Sequence, residues 1–320
     1  MALGDRIALE NKIASKNRMM KKRILRPKSF ISKKNLSLLA FVAPALILYL
    51  IFLVIPLISG FWYSLTNWNG LSRSYNFVGI SNFVEAFKDD KDFIASIIFT
   101  FKYAVVIVVF QNVFALALAV MIDSKKKSTG FFRTILFMPN MISMVIASFV
   151  WVFIFSKVFT QIANVTPFKF LDQSWFGDPK LAFFAIVIVT LWAGVGYMML
   201  IYLAALQGVP QELKEAAVID GANVVQTFFN VVLPMIMHSI TICTFLTLAA
   251  AFKAFDIIFA LTAGGPIKTT EVMGLNIYNE AFMGNMRFGY ASAKSMILFI
   301  IILIVTLVQL GVLKKREVEA

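Results

Sequence analysis

The sequence predicts an all-α integral membrane protein with six transmembrane helices, on three observations. Of its 320 residues, 60% are hydrophobic and only 15% charged, and the mean hydropathy is +0.82. An ordinary soluble domain is about 45–50% apolar and about 25% charged. Six continuous apolar runs each reach the roughly 20 residues that a helix needs to cross a bilayer core. Basic residues alternate in density from one connection to the next. Too few polar residues remain to cover a water-facing surface, which excludes a soluble globular enzyme, a disordered tail, a collagen and a coiled coil.

The runs are residues 36–62, 102–122, 131–155, 181–206, 235–262 and 291–313. Their continuity favours helices over barrel strands, which alternate lipid-facing and lumen-facing residues. The second run has the least certain start, because residues 93–100 are also apolar and Lys102 can lay its stem along a helix. Before the first run, residues 1–35 hold 11 basic and 2 acidic residues. With Lys125, Lys126, Lys127, Arg133, Lys214, Lys314, Lys315 and Arg316, that side carries 19 basic residues. The opposite connections hold 8 (Arg73, Lys88, Lys91, Lys157, Lys169, Lys180, Lys268 and Arg287). Positive residues stay inside, so the N and C termini are expected to be cytoplasmic. Residues 1–35 then form a basic cytoplasmic segment, 36–313 the membrane domain and 314–320 a cytoplasmic tail. A signal peptide has an apolar stretch of about 7–15 residues, far shorter than the first run. The basic segment abuts a span, so anionic membrane lipid is its expected contact, with no nucleic acid partner.

The usual catalytic constellations are missing. One histidine, His238, and one cysteine, Cys243, supply neither a metal-ligand set nor an intramolecular disulfide. No HExxH, CxxC or GxSxG occurs. The stretch from Ala263 to Thr270 has a phosphate-loop flavour, yet Ile267 stands where a glycine must precede the lysine. No cofactor, ATP included, is expected on this chain.

The connection from Gly208 to Pro234 is the most informative segment. Pro210 suits a first helical position, Glu212 favours the first turn, and Gly221 permits the left-handed geometry that ends a helix. A second short helix would align Val224, Phe228 and Val231 on one face before Pro234 starts the next span. Each piece is shorter than the roughly 12–15 residues at which an isolated helix becomes marginal in water. The residues alone leave two supports open: lipid headgroups or a partner protein.

Glu215-Ala216-Ala217, Gly221, Val231 and Leu233-Pro234 together resemble the EAA motif of membrane subunits in binding-protein-dependent ABC importers, with Val231 where the family usually has isoleucine. The resemblance runs from about residue 36 to 313 and implies a type I ABC importer permease fold. Phe131-Phe132-Arg133-Thr134 with Met138-Pro139, Phe255-Asp256, the stretch from Leu261 to Pro266, and Gly289-Tyr290-Ala291-Ser292-Ala293 are similar to the carbohydrate-uptake branch. Within it, the type is that of the larger membrane subunit of the maltose importer. This chain departs from that subunit in having six spans rather than eight, and residues 156–180 are too few for a folded external domain.

The resemblance implies that the loop is a coupling helix seated in a cleft of an ATPase subunit. Glu215 would meet a basic residue there, Ala216 and Ala217 would allow close approach, and Gly221 would make the bend, with Asp220, Phe228 and Pro234 in the same coupling element. It implies a second homologous permease subunit, two ATPase subunits carrying ATP and magnesium, an extracytoplasmic solute-binding protein, and a bacterial or archaeal cytoplasmic membrane. The chain itself would be no enzyme.

A solute pathway for sugars needs hydrogen-bonding groups and an aromatic platform inside the bundle. Trp192 lies about 16 Å into the fourth run at 1.5 Å per residue, with Tyr197 just beyond and Gln111 and Asn112 at similar depth in the second run. These four and Asp256 are the candidate pathway residues. Helix packing and interhelical hydrogen bonding are the competing roles. A local ion pair with Lys253 competes for Asp256, and His238 reads as a bundle residue. An ion-coupled secondary transporter or channel, or an ABC permease for a solute other than sugar, remains the alternative.

Overall fold

Backbone polar groups in hydrocarbon find no water, so each apolar run must close its own hydrogen bonds as helix. The computed structural model describes residues 33–123, 129–284 and 286–313, and these are helical apart from connections and one isolated bridge between Thr66 and Phe77. Residues 125–127, the tail 314–320 and all of the basic segment before Lys33 lie outside the described residues. The chain divides into two units, Met1–Ser59 and Gly60–Ala320.

The described residues of the first unit are helical. α1 (Lys33–Tyr49) passes through a π-helical turn (Leu50–Val54) into α2 (Ile55–Ser64), and none of its side chains from residue 41 to residue 59 is buried. Pro56 explains the wide turn. Its ring cannot accept the carbonyl four residues back, and the preceding Ile55 N–H reaches five residues back to Leu50.

The second unit is built on α4 (Lys91–Ile122) and α8 (Pro179–Gln207), flanked by α3 (Ser81–Lys88) and α11 (Met237–Phe252). Ile107, Ala115 and Ala119 of α4 pack with Ile186, Val189, Met199 and Tyr202 of α8 in buried apolar clusters. Both helices have side-chain caps: Asp90 accepts the Phe93 N–H at 2.8 Å, and Asp178 accepts from Lys180 and Leu181 at 2.8 and 3.1 Å. α4 therefore begins at Lys91 rather than at 102, taking in the apolar residues 93–100. The last helix, α14 (Phe288–Leu313), matches the sixth run.

Two runs are not single helices. The third divides into α5 (Thr129–Phe137), a 3-10 turn (Met138–Met141) containing Pro139, and α6 (Met144–Phe153), which continues through a π-helical turn (Ile154–Val158) into α7 (Phe159–Val165). The span is thus Met144–Val165. Proline removes an N–H and disfavours helix at the residue before it, which a hydropathy count does not register. The fifth run bends by 70° at Ile236, between Val224–Met235 and Met237–Phe252. It then ends at Lys253, and a separate α12 (Asp256–Leu261) follows, with neither proline nor glycine at that second break. Five described helices are long and apolar enough to cross a membrane, or six with the bent pair counted as one.

α5 leans on α8 at a glycine. A Cβ on Gly196 would fall 1.9 Å from the Leu136 carbonyl oxygen, and Asn140 donates to the Ala193 carbonyl at 3.3 Å beside it. Gly196→Ala should destabilise the purified protein by on the order of 1–3 kcal/mol, lowering its thermal midpoint in detergent. Gly311→Ala, where nothing lies within 4 Å, should leave the midpoint unchanged. Equal midpoints for the two variants would refute the close crossing.

Candidate functional site

The segment from Gly208 to Ile236 forms a helical hairpin. Pro210 is the cap residue before α9 (Gln211–Ile219), one position earlier than its sequence suggests, and Glu212 sits in the first turn. Gly221 adopts φ +85°. Gly221 N–H bonds the Val218 carbonyl at 3.0 Å, and Ala222 N–H bonds the Ala217 carbonyl at 2.9 Å. This pair of bonds is a Schellman closure, which requires the left-handed residue that glycine supplies.

Asn223 then caps α10 (Val224–Thr227) reciprocally. Its side chain accepts the Gln226 N–H, and Gln226 accepts the Asn223 N–H, both at 2.9 Å. That capping box is absent from the sequence expectations, although Asn-x-x-Gln is its signal. A π-helical turn (Phe228–Val232) and a three-residue helix (Leu233–Met235) lead to the bend, so the next span starts at Met237, not at Pro234. As at Pro56, the N–H before the proline, on Leu233, reaches five residues back to Phe228.

Glu215, Ala216, Asp220 and Gly221 are exposed, and Ala217, Phe228 and Pro234 are half-buried. On either side of the bend, Ile219 and Val224 are 85% and 86% exposed. Fully burying such a side chain is worth about 1.5–3 kcal/mol. Beneath the hairpin, Val120, Asp123 and Leu206 line a cleft of about 570 Å³ with Glu215, Val218 and Phe228.

Deeper in the bundle is a cavity of about 200 Å³. Its walls include Tyr103 and Gln111 of α4, Met144 of α6, Thr190 of α8, Thr247 of α11, and Lys253, Phe255 and Asp256 at the break after α11. Gln111 is 6% exposed and makes no hydrogen bond among the described residues. Gly194 makes room for it, since a Cβ there would fall 2.6 Å from the Gln111 amide nitrogen. Thr190 donates to the Ile186 carbonyl at 2.8 Å, leaving Tyr103 to donate to Thr190 at 3.0 Å. Among the described residues no ion pair joins Lys253 to Asp256. The expected pair needs one continuous helix, and the backbone breaks between them.

The structure brings only Gln111 and Asp256 of the five pathway candidates to this cavity. The Asn112 amide donates to the Val108 carbonyl at 2.8 Å and to Thr247 at 3.3 Å, and its oxygen accepts from the Tyr202 hydroxyl at 2.6 Å. It therefore ties three helices together. Trp192, 38% exposed, packs edge-on against Trp151 at 5.6 Å, and Tyr197 is also exposed. His238 is exposed in the first turn of α11.

At the end of the bundle away from the hairpin lies a charged cluster absent from the sequence expectations. Lys294 of α14 is 1% exposed and bonds Asp90 at 2.7 Å, Glu280 at 2.9 Å and the Asn276 side-chain oxygen at 2.9 Å. Arg287 pairs with Glu85 at 2.7 Å. Burial pushes the Asp90 carboxyl up, but hydrogen bonds from Lys294, Phe93 N–H and Tyr290, with the lysine charge, outweigh it and hold the group below its ordinary value. Hydrogen bonding to Glu85 raises Arg287, and hydrogen bonding to Asp92 raises the more exposed Lys268. A lysine inside an apolar run was the available signal.

Among the described residues, a helical bundle with membrane-length apolar helices, an exposed hairpin and a cavity that carries a few polar side chains is the arrangement of a transporter's membrane subunit. The chain belongs to the family described as binding-protein-dependent transport system inner membrane component, whose profile matches residues 111–316. It is therefore a multi-pass inner-membrane component of an ABC importer and not a catalyst. It is 42% identical over 279 residues to the probable starch degradation products transport system permease protein AmyD of Thermoanaerobacterium thermosulfurigenes, covering 87% of this chain and 94% of that one. It is 39% identical to the multiple sugar-binding transport system permease protein MsmF of Streptococcus mutans, covering 87% and 95%. The crystal structure of a bacterial ABC transporter that imports the acidic polysaccharide alginate contains a chain of the same fold. The match has a TM-score of 0.75 at 24% identity and covers 88% of this chain and 96% of that one.

Because a Cβ on Gly221 meets nothing within 4 Å, any cost of substitution there comes from the backbone. Gly221→Val should open the bend and raise the rate of proteolytic cleavage within residues 208–236 several-fold. Asparagine tolerates the left-handed region, so Gly221→Asn should be cleaved at the native rate. Similar rates for both variants would show that the closure does not depend on the left-handed residue.

Proposed function

We propose that this chain forms half of the translocation pathway of an ATP-driven carbohydrate importer and receives the ATPase stroke through its 208–236 hairpin. The carrying observation is the pair of solvent-exposed aliphatic residues, Ile219 and Val224, held on either side of a closed bend. A short helix pair presenting such residues needs a covering surface. An ATPase subunit supplies one, with ATP and magnesium bound there rather than on this chain. A second homologous permease, a second ATPase subunit and an extracytoplasmic binding protein complete the assembly, with both termini of this chain cytoplasmic. ATP binding shifts the bundle between inward-open and outward-open states only so far as nucleotide binds the two differently.

Sugar as cargo is supported by the AmyD and MsmF relatives and by a cavity whose unpartnered Gln111 amide offers both a donor and an acceptor to hydroxyls. A second reading has one specific support. Lys253 lines the cavity without an ion-pair partner among the described residues. A 31% identical relative in Pectobacterium atrosepticum is an sn-glycerol-3-phosphate transport system permease, UgpA.

The deciding experiment is uptake of labelled maltotriose, sucrose and sn-glycerol-3-phosphate into proteoliposomes holding the complete complex and its binding protein. ATP-dependent accumulation of a sugar is expected. Accumulation of glycerol phosphate alone would replace the cargo assignment, and ATP-independent uptake under an ion gradient would overturn the importer reading. Gln111→Ala should cut sugar uptake about tenfold with unchanged complex yield. Ile219→Glu should abolish co-purification with the ATPase while leaving membrane insertion intact, and normal co-purification of that variant would refute the docking role.

A further inference from the structure

The buried Lys294 cluster lies far from the hairpin, yet contacts connect it to the cavity wall. Two of its ligands, Asn276 and Glu280, flank Tyr278 at the end of α13 (Met273–Tyr278) and the start of the π-helical turn Asn279–Met283. The Tyr278 ring packs edge-on against Phe255 at 5.3 Å and against Phe259 at 5.9 Å. Phe255 in turn lines the central cavity. The start of α13 is pinned separately, where the Met273 N–H bonds the Thr100 hydroxyl at 3.0 Å. Glu271 accepts from Asn276 at 3.4 Å and from Asn279 at 2.8 Å, and Arg287 pairs with Glu280 at 3.7 Å, but Lys294 is the group that ties this end of α13 to both α14 and Asp90. Phe255 of the cavity wall rests on Tyr278, between the two ligands of Lys294.

We propose that Lys294 is a positioning residue for solute passage: its ammonium draws Asn276 and Glu280 onto α14 and Asp90, and so sets Tyr278 and Phe255 against the cavity. This rests on the importer reading. The charges facing it come from every neighbouring element. Asp90 and Asp92 stand at the start of α4, Glu85 on α3, Lys268 and Glu271 in the connection before α13, Glu280 in the π-helical turn, and Arg287 and Tyr290 beside it. Of these, Asp90 and Glu280 lie within 2.9 Å of its nitrogen.

Removing the ammonium leaves two half-buried carboxylates facing one another. Like charges and burial both raise carboxylate pKa values, so the cluster closes again once one of them takes a proton. Lys294→Met should therefore be defective at neutral pH and recover in acid. Asp90→Asn keeps the cap that Phe93 needs, and Glu280 keeps Arg287, so the double variant Lys294→Met/Asp90→Asn should recover without acid.

The test is the initial rate of labelled maltotriose uptake in proteoliposomes, each variant divided by wild type at the same pH. Lys294→Met is expected to fall about tenfold near pH 7.5 and to lie within about threefold of wild type near pH 5.5, with the double variant within about threefold at both. In a Tyr278→Ala background the same lysine substitution should cost less than about twofold further, because the path is already cut. If Lys294→Met does not assemble, the double variant carries the test, and its assembly and transport support the proposal. A loss that is equal at both pH values and unrescued by Asp90→Asn, or a full tenfold loss in the Tyr278→Ala background, overturns it, as does native uptake by Lys294→Met at neutral pH. Failure of the wild-type complex to take up maltotriose bears on the cargo reading instead.

Discussion

A polar group buried in a bilayer must find its partner inside the protein, and most of the second unit is organised by that requirement. The cost of leaving an amide or hydroxyl unpaired in an apolar medium is several kcal/mol, so the groups that hold α4, α8 and α11 together occur in matched sets. Asn112 is the clearest, engaging Tyr202, Thr247 and a carbonyl of its own helix. Serine and threonine hydroxyls within the helices mostly turn back to carbonyls of the preceding turn, as at Thr100, Ser148 and Thr247. Against that background Gln111 stands out, because its side chain opens on the cavity and makes no hydrogen bond among the described residues.

The same requirement explains how a charged cluster persists near the start of the last span. Lys294 is enclosed, and an enclosed cation is tolerable only with several ligands at once. Two carboxylates, an amide carbonyl and the Tyr290 ring, 4.5 Å from the nitrogen, supply them. The exposed Lys268–Asp92 pair nearby is of a different kind, and such surface pairs contribute about 0–1 kcal/mol.

Much of the architecture is legible in the residues because bilayer thickness leaves a one-dimensional trace in hydropathy. Runs 36–62, 181–206 and 291–313 correspond closely to helices, and the left-handed turn at Gly221 follows from residue type alone. Where sequence and structure part, the missing information is not one-dimensional. Pro139 and the residue pattern around Ile236 break apolar runs without changing their hydropathy, and nothing in the residues at Lys253 announces an end. Depth singles out Trp192, but depth does not specify azimuth, and Trp192 is not among the residues that line the cavity. Lys294 gives little sign of its role, because its hydrogen-bonding partners lie 14 residues or more away along the chain and meet it only in three dimensions.

The paired prolines also limit how this chain can vary. At Pro56 and Pro234 one additional residue is accommodated in the preceding coil, and each residue advances a helix by about 100°. That surplus acts as a phase offset between the helical segments on its two sides. Deleting a single residue from 228–232 would leave length, apolarity and every motif letter almost intact. It would nonetheless swing the knuckle of Ile219 and Val224 by roughly a quarter turn about the axis leading into α11. Relatives that conserve composition but not this count would aim the same knuckle in a different compass direction.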